Sequence, residues 1–144
     1  MALIEITNLN KEFEMGPDKF LALKNINLKI EPGEFTAIIG TSGCGKTTLM
    51  NIIGLLDRPS AGTYCIGDQD MTHLSDDELS KMRNQNIGFV FQSFNLLPRA
   101  SAQRNVELPL HYAMAYNKDL NENRIKEMAF HSLDRVGLSQ RLNH

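Results

Sequence analysis

The sequence predicts an α/β fold built around a phosphate-binding loop, and three observations carry that reading. Gly40, Thr41, Ser42, Gly43, Cys44, Gly45, Lys46, Thr47 and Thr48 spell the pattern G-x-x-x-x-G-K-[ST] without a gap. A short apolar run, residues 35–39, leads into the loop as a buried strand would, and Lys46 to Leu56 leaves it with Leu49, Ile52, Ile53 and Leu56 on one helical face. Residues 21–30 alternate, with Leu21, Leu23, Ile26, Leu28 and Ile30 set against Lys24, Asn27 and Lys29, the pattern of an antiparallel sheet with one wet face.

The spelling of the loop follows from the chemistry of a triphosphate. Several negative charges in a small volume call for backbone N–H groups turned inward, and glycines let the main chain come close enough to supply them. The loop ends at a helix N-terminus, where unpaired N–H groups and the helix dipole favour an anion. Lys46 is the side chain expected on the β- and γ-phosphates, and the Thr47 hydroxyl is the expected ligand for Mg²⁺. Cys44 sits inside the loop, where a small residue suffices.

Ahead of the loop, residues 4–9 read as a first strand, and Met15-Gly16-Pro17-Asp18 reads as a turn. Glu31-Pro32-Gly33 turns the chain into the strand at 35–39. Beyond the loop helix, Asp57-Arg58-Pro59 is a stop, Ser60-Ala61-Gly62 a turn, and residues 63–66 a brief strand closed by Gly67-Asp68. Ser75 with Glu78 forms a capping box ahead of a short helix that buries Leu79 and Met82. Residues 87–91 are apolar almost throughout and read as a strand covered on both faces. A helix from Asn105 to about Tyr116 is expected to be interrupted near Pro109. The clearest helix runs from Asn121 to Val136, with Ile125, Met128, Ala129, Leu133 and Val136 on one face and Gly137 and Leu138 at its end.

Composition narrows the function classes. The chain has 144 residues, enough for one modest core, and is 42% hydrophobic and 22% charged. A formal charge of −2 and a pI of about 6.1 give no basic footprint for nucleic acid. No apolar segment approaches bilayer length and the first residues do not read as a signal peptide, so a cytoplasmic location is expected. Cys44 and Cys65 form no C-x-x-C pair and are expected as free thiols; the four histidines show no metal-ligand spacing.

Taken together, several stretches resemble the ATP-binding subunits of ABC transporters. They are residues 22–30 followed by Gly33-Glu34, residues 49–62, residues 87–98 and residues 105–110. The spellings FNLLP at 94–98 and NVELPL at 105–110 resemble the branch that serves lipoprotein release and macrolide export. The resemblance implies the N-terminal part of a P-loop, RecA-like ABC ATPase domain, with an antiparallel β subdomain and the start of the helical subdomain. On that basis 1–34 and 62–70 are the β part, 35–61 and 85–92 the P-loop core, and 93–144 the Q-loop and partial helical subdomain. It also implies ATP and Mg²⁺ as ligands, Phe13 as the ring that stacks on adenine, and Gln92 as the Q-loop glutamine acting on Mg²⁺ or the attacking water. From the residues alone, Phe13 is an ordinary core candidate and Gln92 a solvated loop residue.

Partners follow from the same resemblance. They are a second copy of the full-length domain and a membrane permease contacted by the loop that begins at Phe94 and ends at Pro98, which would hold the domain at the inner face of the membrane. The family's signature loop, its Asp-Glu strand and its switch histidine are not found in these residues, and the last of them resemble family text just before the signature. A chain truncated there is expected to bind nucleotide with negligible turnover and to be marginal or self-associating in solution. Three readings stay open: the ATPase subunit of an exporter, a non-catalytic nucleotide-binding fragment, and an ATPase of this branch used for mechanotransmission. The transported substrate is not encoded here.

Overall fold

The computed structural model describes residues 2–144; Met1, the first residue of the expected β part, lies outside them. The chain divides into two compact units, the first ending at Arg83 and the second running from Asn84 to His144.

The first unit is organised by a long hairpin. Strand β1 (Ile4–Met15) and strand β2 (Asp18–Ile30) pair antiparallel across a two-residue turn, Gly16-Pro17. Gly16 has φ of 65°, the positive value that a tight hairpin needs at its first turn residue. Strands β3 (Ala61–Ile66) and β4 (Gln69–Asp70) complete a four-stranded antiparallel sheet in the order β2-β1-β3-β4. Both hairpin strands run past their sequence-predicted limits.

The reason is a series of irregularities. The register shifts between Ile6 and Leu9, between Leu9 and Lys11, and between Lys11 and Glu12. Asn8 and Asn25, each with φ of 49°, take up the left-handed turns there, as asparagine does most readily after glycine. The Asn27 Oδ1 accepts from the Asn8 amide and the Asn10 Oδ1 from the Asn25 amide, both at 2.9 Å. The backbone groups freed by the bulges are thereby satisfied, and bulges of this kind bend and twist a ribbon. Where β3 passes this bend the chain carries Gly62, because a Cβ there would lie 2.5 Å from the Asn8 carbonyl oxygen.

Helix α1 (Lys46–Ile53) buries Leu49 and Ile52, two positions of its predicted face; Leu56 lies beyond its end and is half-exposed. The core of the unit adds Ile6, Leu9, Leu23, Leu55 and Tyr64. Tyr64 is fully buried, and its hydroxyl donates to the Ile53 carbonyl at 2.7 Å, which satisfies an orphan acceptor in the last turn of α1. Helix α2 (Asp76–Asn86) opens on the capping box read from the sequence: the Glu78 carboxylate accepts from the Ser75 amide at 2.8 Å, and the Glu78 amide donates to Ser75 Oγ at 3.3 Å.

In the second unit, α3 (Ala102–Ala113) and α4 (Glu122–Arg135) pack together over Ile125, Ala129 and Leu133. Ser101 and Asn121 cap them, accepting from the Arg104 and Arg124 amides. The predicted interruption at Pro109 does not occur; α3 runs straight through it. The helix α4 ends as expected, the Gly137 amide donating to Asp134 and the Leu138 amide to Leu133. The Ala102 and Gln103 amides, which have no acceptor within α3, donate to the His144 and Leu142 carbonyls.

Two sequence expectations are corrected. Neither 35–39 nor 87–91 forms a strand, and their apolar side chains lie open: Phe35 is 95% and Ile39 89% exposed, and Val90 is fully so. A buried parallel strand requires a parallel neighbour on each side. Among the described residues every paired strand is antiparallel and no partner faces either segment.

Candidate functional site: a cavity between the hairpin tip and the glycine loop

The loop 40–45 leads into α1 with no side chain capping the helix. The Gly45 position closes the loop against β2. Its φ is 92°, and a Cβ there would lie 2.8 Å from both the Ala22 carbonyl oxygen and Leu23 Cδ2. Only glycine meets both demands, the left-handed backbone and the close approach. The first-turn N–H groups of α1 thus open toward a space that no capping oxygen occupies, and the positive end of the helix dipole faces the same way.

Lys46 folds back over the loop. Its Nζ donates to the Gly40 carbonyl at 2.9 Å and the Thr41 carbonyl at 2.6 Å, with Cys44 Sγ at 3.6 Å. The cation is therefore held within the glycine loop by main-chain acceptors that a more basic anionic oxygen could replace. Cys44 is exposed, and Cys65 lies on β3 with its thiol pushed up, first by burial and then by the Asp70 and Glu5 carboxylates. Both are free thiols.

A cavity of about 180 Å³ joins this loop to the hairpin tip. Phe13, Phe20 and Ala22 form one wall, and Gly43, Gly45, Lys46, Thr47 and Thr48 the other. Of the sequence-predicted residues, Phe13, Gly43, Gly45, Lys46, Thr47 and Thr48 share this space; Gly40, Thr41, Ser42 and Cys44 continue the loop beside it. The Phe13 ring is held from behind. Lys11 Nζ lies 4.9 Å from its centroid and is itself fixed by Asp57 Oδ1 at 2.6 Å and the Arg58 carbonyl at 2.8 Å. Phe20 was not singled out by sequence. The signal that could have found it is the turn: pairing outward from Met15 and Asp18 sets Phe13 opposite Phe20.

Gln92 belongs to the second unit, in the irregular stretch 87–98, where it is exposed. The loop after it is apolar and open, with Phe94 almost wholly exposed and Leu96 and Leu97 at least half so. It is pinned at its far end by Asn105, whose Oδ1 accepts from the Leu97 amide at 2.8 Å and whose Nδ2 donates to the Ala100 and Ser101 carbonyls.

A glycine loop ending at an uncapped helix, with an aromatic wall opposite, is an arrangement for a nucleotide, and the comparisons name the family. The family model described as ABC transporter matches residues 23–143. The chain belongs to the ABC transporter family. It is 46% identical over 142 residues to the uncharacterized ABC transporter ATP-binding protein YvrO of Bacillus subtilis, matching 99% of this chain and 60% of that protein. It is 47% identical over 144 residues to the macrolide export ATP-binding/permease protein MacB of Syntrophobacter fumaroxidans, covering 100% of this chain and 20% of MacB. Among solved structures, a dimer of the ATP-binding cassette MJ0796 bound to ADP and Pi superposes with a TM-score of 0.84 at 42% identity, over 98% of this chain and 60% of that one. The fold is that of the N-terminal part of an ABC cassette, and the macrolide-export branch expected from the sequence is the one these relatives favour. This ABC chain spans 60% or less of the length of the relatives it matches. No helix among its described residues is long and apolar enough to cross a membrane, and no group of three or more His, Cys, Asp or Glu side chains that could hold a metal ion is found among them.

Proposed function

We propose that this chain is the nucleotide-binding part of an export-type ABC ATPase, and that Mg·ATP occupies the cavity between the hairpin tip and the glycine loop. One observation carries the reading: Phe13 and Lys46, 33 positions apart in sequence, line a single cavity with Phe20, Ala22 and residues of the loop and first turn of α1. The donor set fits a polyphosphate. Residues 40–48 supply inward amides and the helix dipole, and Lys46 exchanges two carbonyl acceptors for phosphate oxygens. Phe13 stacks on the base.

Thr47 lines the cavity, and its hydroxyl is a hard oxygen ligand of the kind Mg²⁺ takes. Bound Mg²⁺ would neutralise charge on the phosphate oxygens. The chain's own contribution is binding and positioning: the amides fix the phosphates, and Lys46 draws charge toward the terminal group that water attacks. The carboxylate that would polarise that water, and the signature loop of a partner domain, are not among these 144 residues, so turnover by them alone is negligible. Transport belongs to the assembled system. In it two full-length domains face each other and a permease sits on the open apolar loop of Phe94, Leu96, Leu97 and Pro98, at the cytoplasmic face of a membrane. No nucleic acid is involved.

Isothermal titration of the chain with Mg·ATP tests this. Lys46→Ala removes a charge-assisted contact of about 1.5–3 kcal/mol, so affinity should fall at least about tenfold. Equal affinity in wild type and Lys46→Ala would dismiss the site.

A further inference from the structure

We propose that a second cavity in the first unit, between the turn that ends α1 and one face of α2, binds a small carboxylate carried on an apolar body, with Arg83 and Arg58 as the groups that recognise it. The cavity measures about 230 Å³ and shares no lining residue with the nucleotide cavity.

Its walls follow from helical spacing. Asp76, Leu79, Ser80 and Arg83 stand at i, i+3, i+4 and i+7 of α2, which puts them on one stripe of the helix. The chain just past α1 supplies the facing wall, from Leu55 to Arg58. Three leucines give the cavity an apolar part: Leu55 and Leu79 are buried, and Leu56 is half-exposed, with area that an apolar ligand would take out of water.

The charges around this space do not cancel. Asp57 is already engaged, its Oδ1 accepting from Lys11 Nζ at 2.6 Å and from the Arg58 amide at 2.7 Å. Asp76 Oδ1 accepts from Arg58 Nη2 at 2.8 Å, but Asp76 is almost fully exposed and solvent screens the pair. Arg83 is different. It is partly buried, yet among the described residues no carboxylate lies within 4.0 Å of its guanidinium. Its Nη1 donates to the Leu55 carbonyl at 2.6 Å and its Nη2 to Ser80 Oγ at 3.1 Å, both neutral acceptors. A cation withdrawn from water ordinarily has a counter-ion, and this one has none. With Lys11 cancelling Asp57, two guanidiniums face the single screened charge of Asp76.

The ligand class follows from these groups. Each guanidinium has more N–H donors than its bonds use, set in a planar fork that matches a carboxylate. A bare inorganic anion would leave the leucines uncovered, and a cation would meet the surplus positive charge. The volume lies below the roughly 300–1,000 Å³ of sites for drug-sized ligands, so the ligand is a short monocarboxylate.

The test is a protein-detected NMR titration of the full chain with 4-methylpentanoate, its neutral isostere 4-methylpentanamide, and acetate. In wild type, 4-methylpentanoate should bind saturably and shift the amides of 55–58 and 76–83. The amide should bind at least about tenfold more weakly, because it forfeits charge-assisted bonds. Acetate should also be weaker by at least about tenfold, since each CH₂ it lacks is worth roughly fourfold. Arg58→Gln and Arg83→Gln should each lower 4-methylpentanoate affinity at least about fivefold. Arg83→Gln also disturbs the bond to Leu55; if that variant unfolds, Arg58→Gln and the acid-against-amide comparison in wild type keep the test. Lys46→Ala should bind 4-methylpentanoate as wild type does, which separates this cavity from the nucleotide site. Equal binding of acid and amide, wild-type affinity in Arg58→Gln or in folded Arg83→Gln, shifts outside the two segments, loss of binding in Lys46→Ala, or no saturable binding would each overturn the proposal.

Discussion

Replacing Gly45 by alanine tests whether the loop's shape is set by contact with the hairpin or only by backbone freedom. Gly43 and Gly45 both have positive φ, 79° and 92°. Alanine at either position meets the left-handed cost, about 1–2 kcal/mol. They differ in surroundings. A Cβ at Gly43 would have nothing within 4 Å, whereas at Gly45 it would stand 2.8 Å from the Ala22 carbonyl oxygen and from Leu23 Cδ2. Leu23 can shift a terminal methyl, but the Ala22 oxygen belongs to a paired strand and can move only with β2. Overpacking of this kind adds about 1–3 kcal/mol. Gly45→Ala should therefore cost about 2–5 kcal/mol and Gly43→Ala about 1–2. Urea unfolding followed by far-ultraviolet circular dichroism separates them as a difference in midpoint at constant slope. If the two variants unfold at the same midpoint, the close approach of loop and strand has no energetic weight, and the account of how the hairpin shapes the phosphate cradle fails.

Other outcomes follow from the same contacts. Tyr64→Phe leaves the Ile53 carbonyl without its 2.7 Å donor in a buried setting and should cost about 1–3 kcal/mol in chemical denaturation. Burial raises the Tyr64 pKa above its ordinary 10.0, so its contribution is intact below that pH; stability should fall as pH climbs beyond about 10, and more shallowly in Tyr64→Phe. Glu78 is shifted the other way. Its hydrogen bonds from Ser75 hold the pKa below 4.5, so the capping box should be intact above that value and lost as pH drops through the depressed pKa, which helix content of wild type against Glu78→Gln would register. Asn105→Ala removes the anchor of the apolar loop and should speed proteolytic cutting within 94–101 while α4 stays protected from hydrogen exchange.

Local signals read well because local chemistry sets them. Ser75 with Glu78, and Gly137 with Leu138, act within one helical turn of themselves, and both appear as read. The hairpin was legible in outline only. Its extra length depends on the Asn10 and Asn27 side chains, each accepting from a backbone amide of the opposite strand and donating to a carbonyl of its own, and a polar residue in a strand pattern reads locally as an end, not as a bulge. The strands expected at 35–39 and 87–91 failed for the opposite reason. Their composition is that of strands, but a strand is a relation between segments, and an apolar run without a parallel neighbour has nothing to pair with.

The site divides along the same line. The glycine-loop side of the cavity is written in nearly consecutive residues, Gly43 and Gly45 to Thr48. The aromatic side is written in register. Phe13 and Phe20 meet only because Gly16-Pro17 makes a two-residue turn and the first bulge lies behind them, between Lys11 and Glu12. One residue inserted in the turn would slip the pairing and send Phe20 to the other face of the ribbon, while every residue of the glycine loop stayed in place. Such an insertion should leave tripolyphosphate binding intact and weaken Mg·ATP binding. The aromatic wall of the cavity is then a property of hairpin length, separable from the glycine loop that the motif encodes.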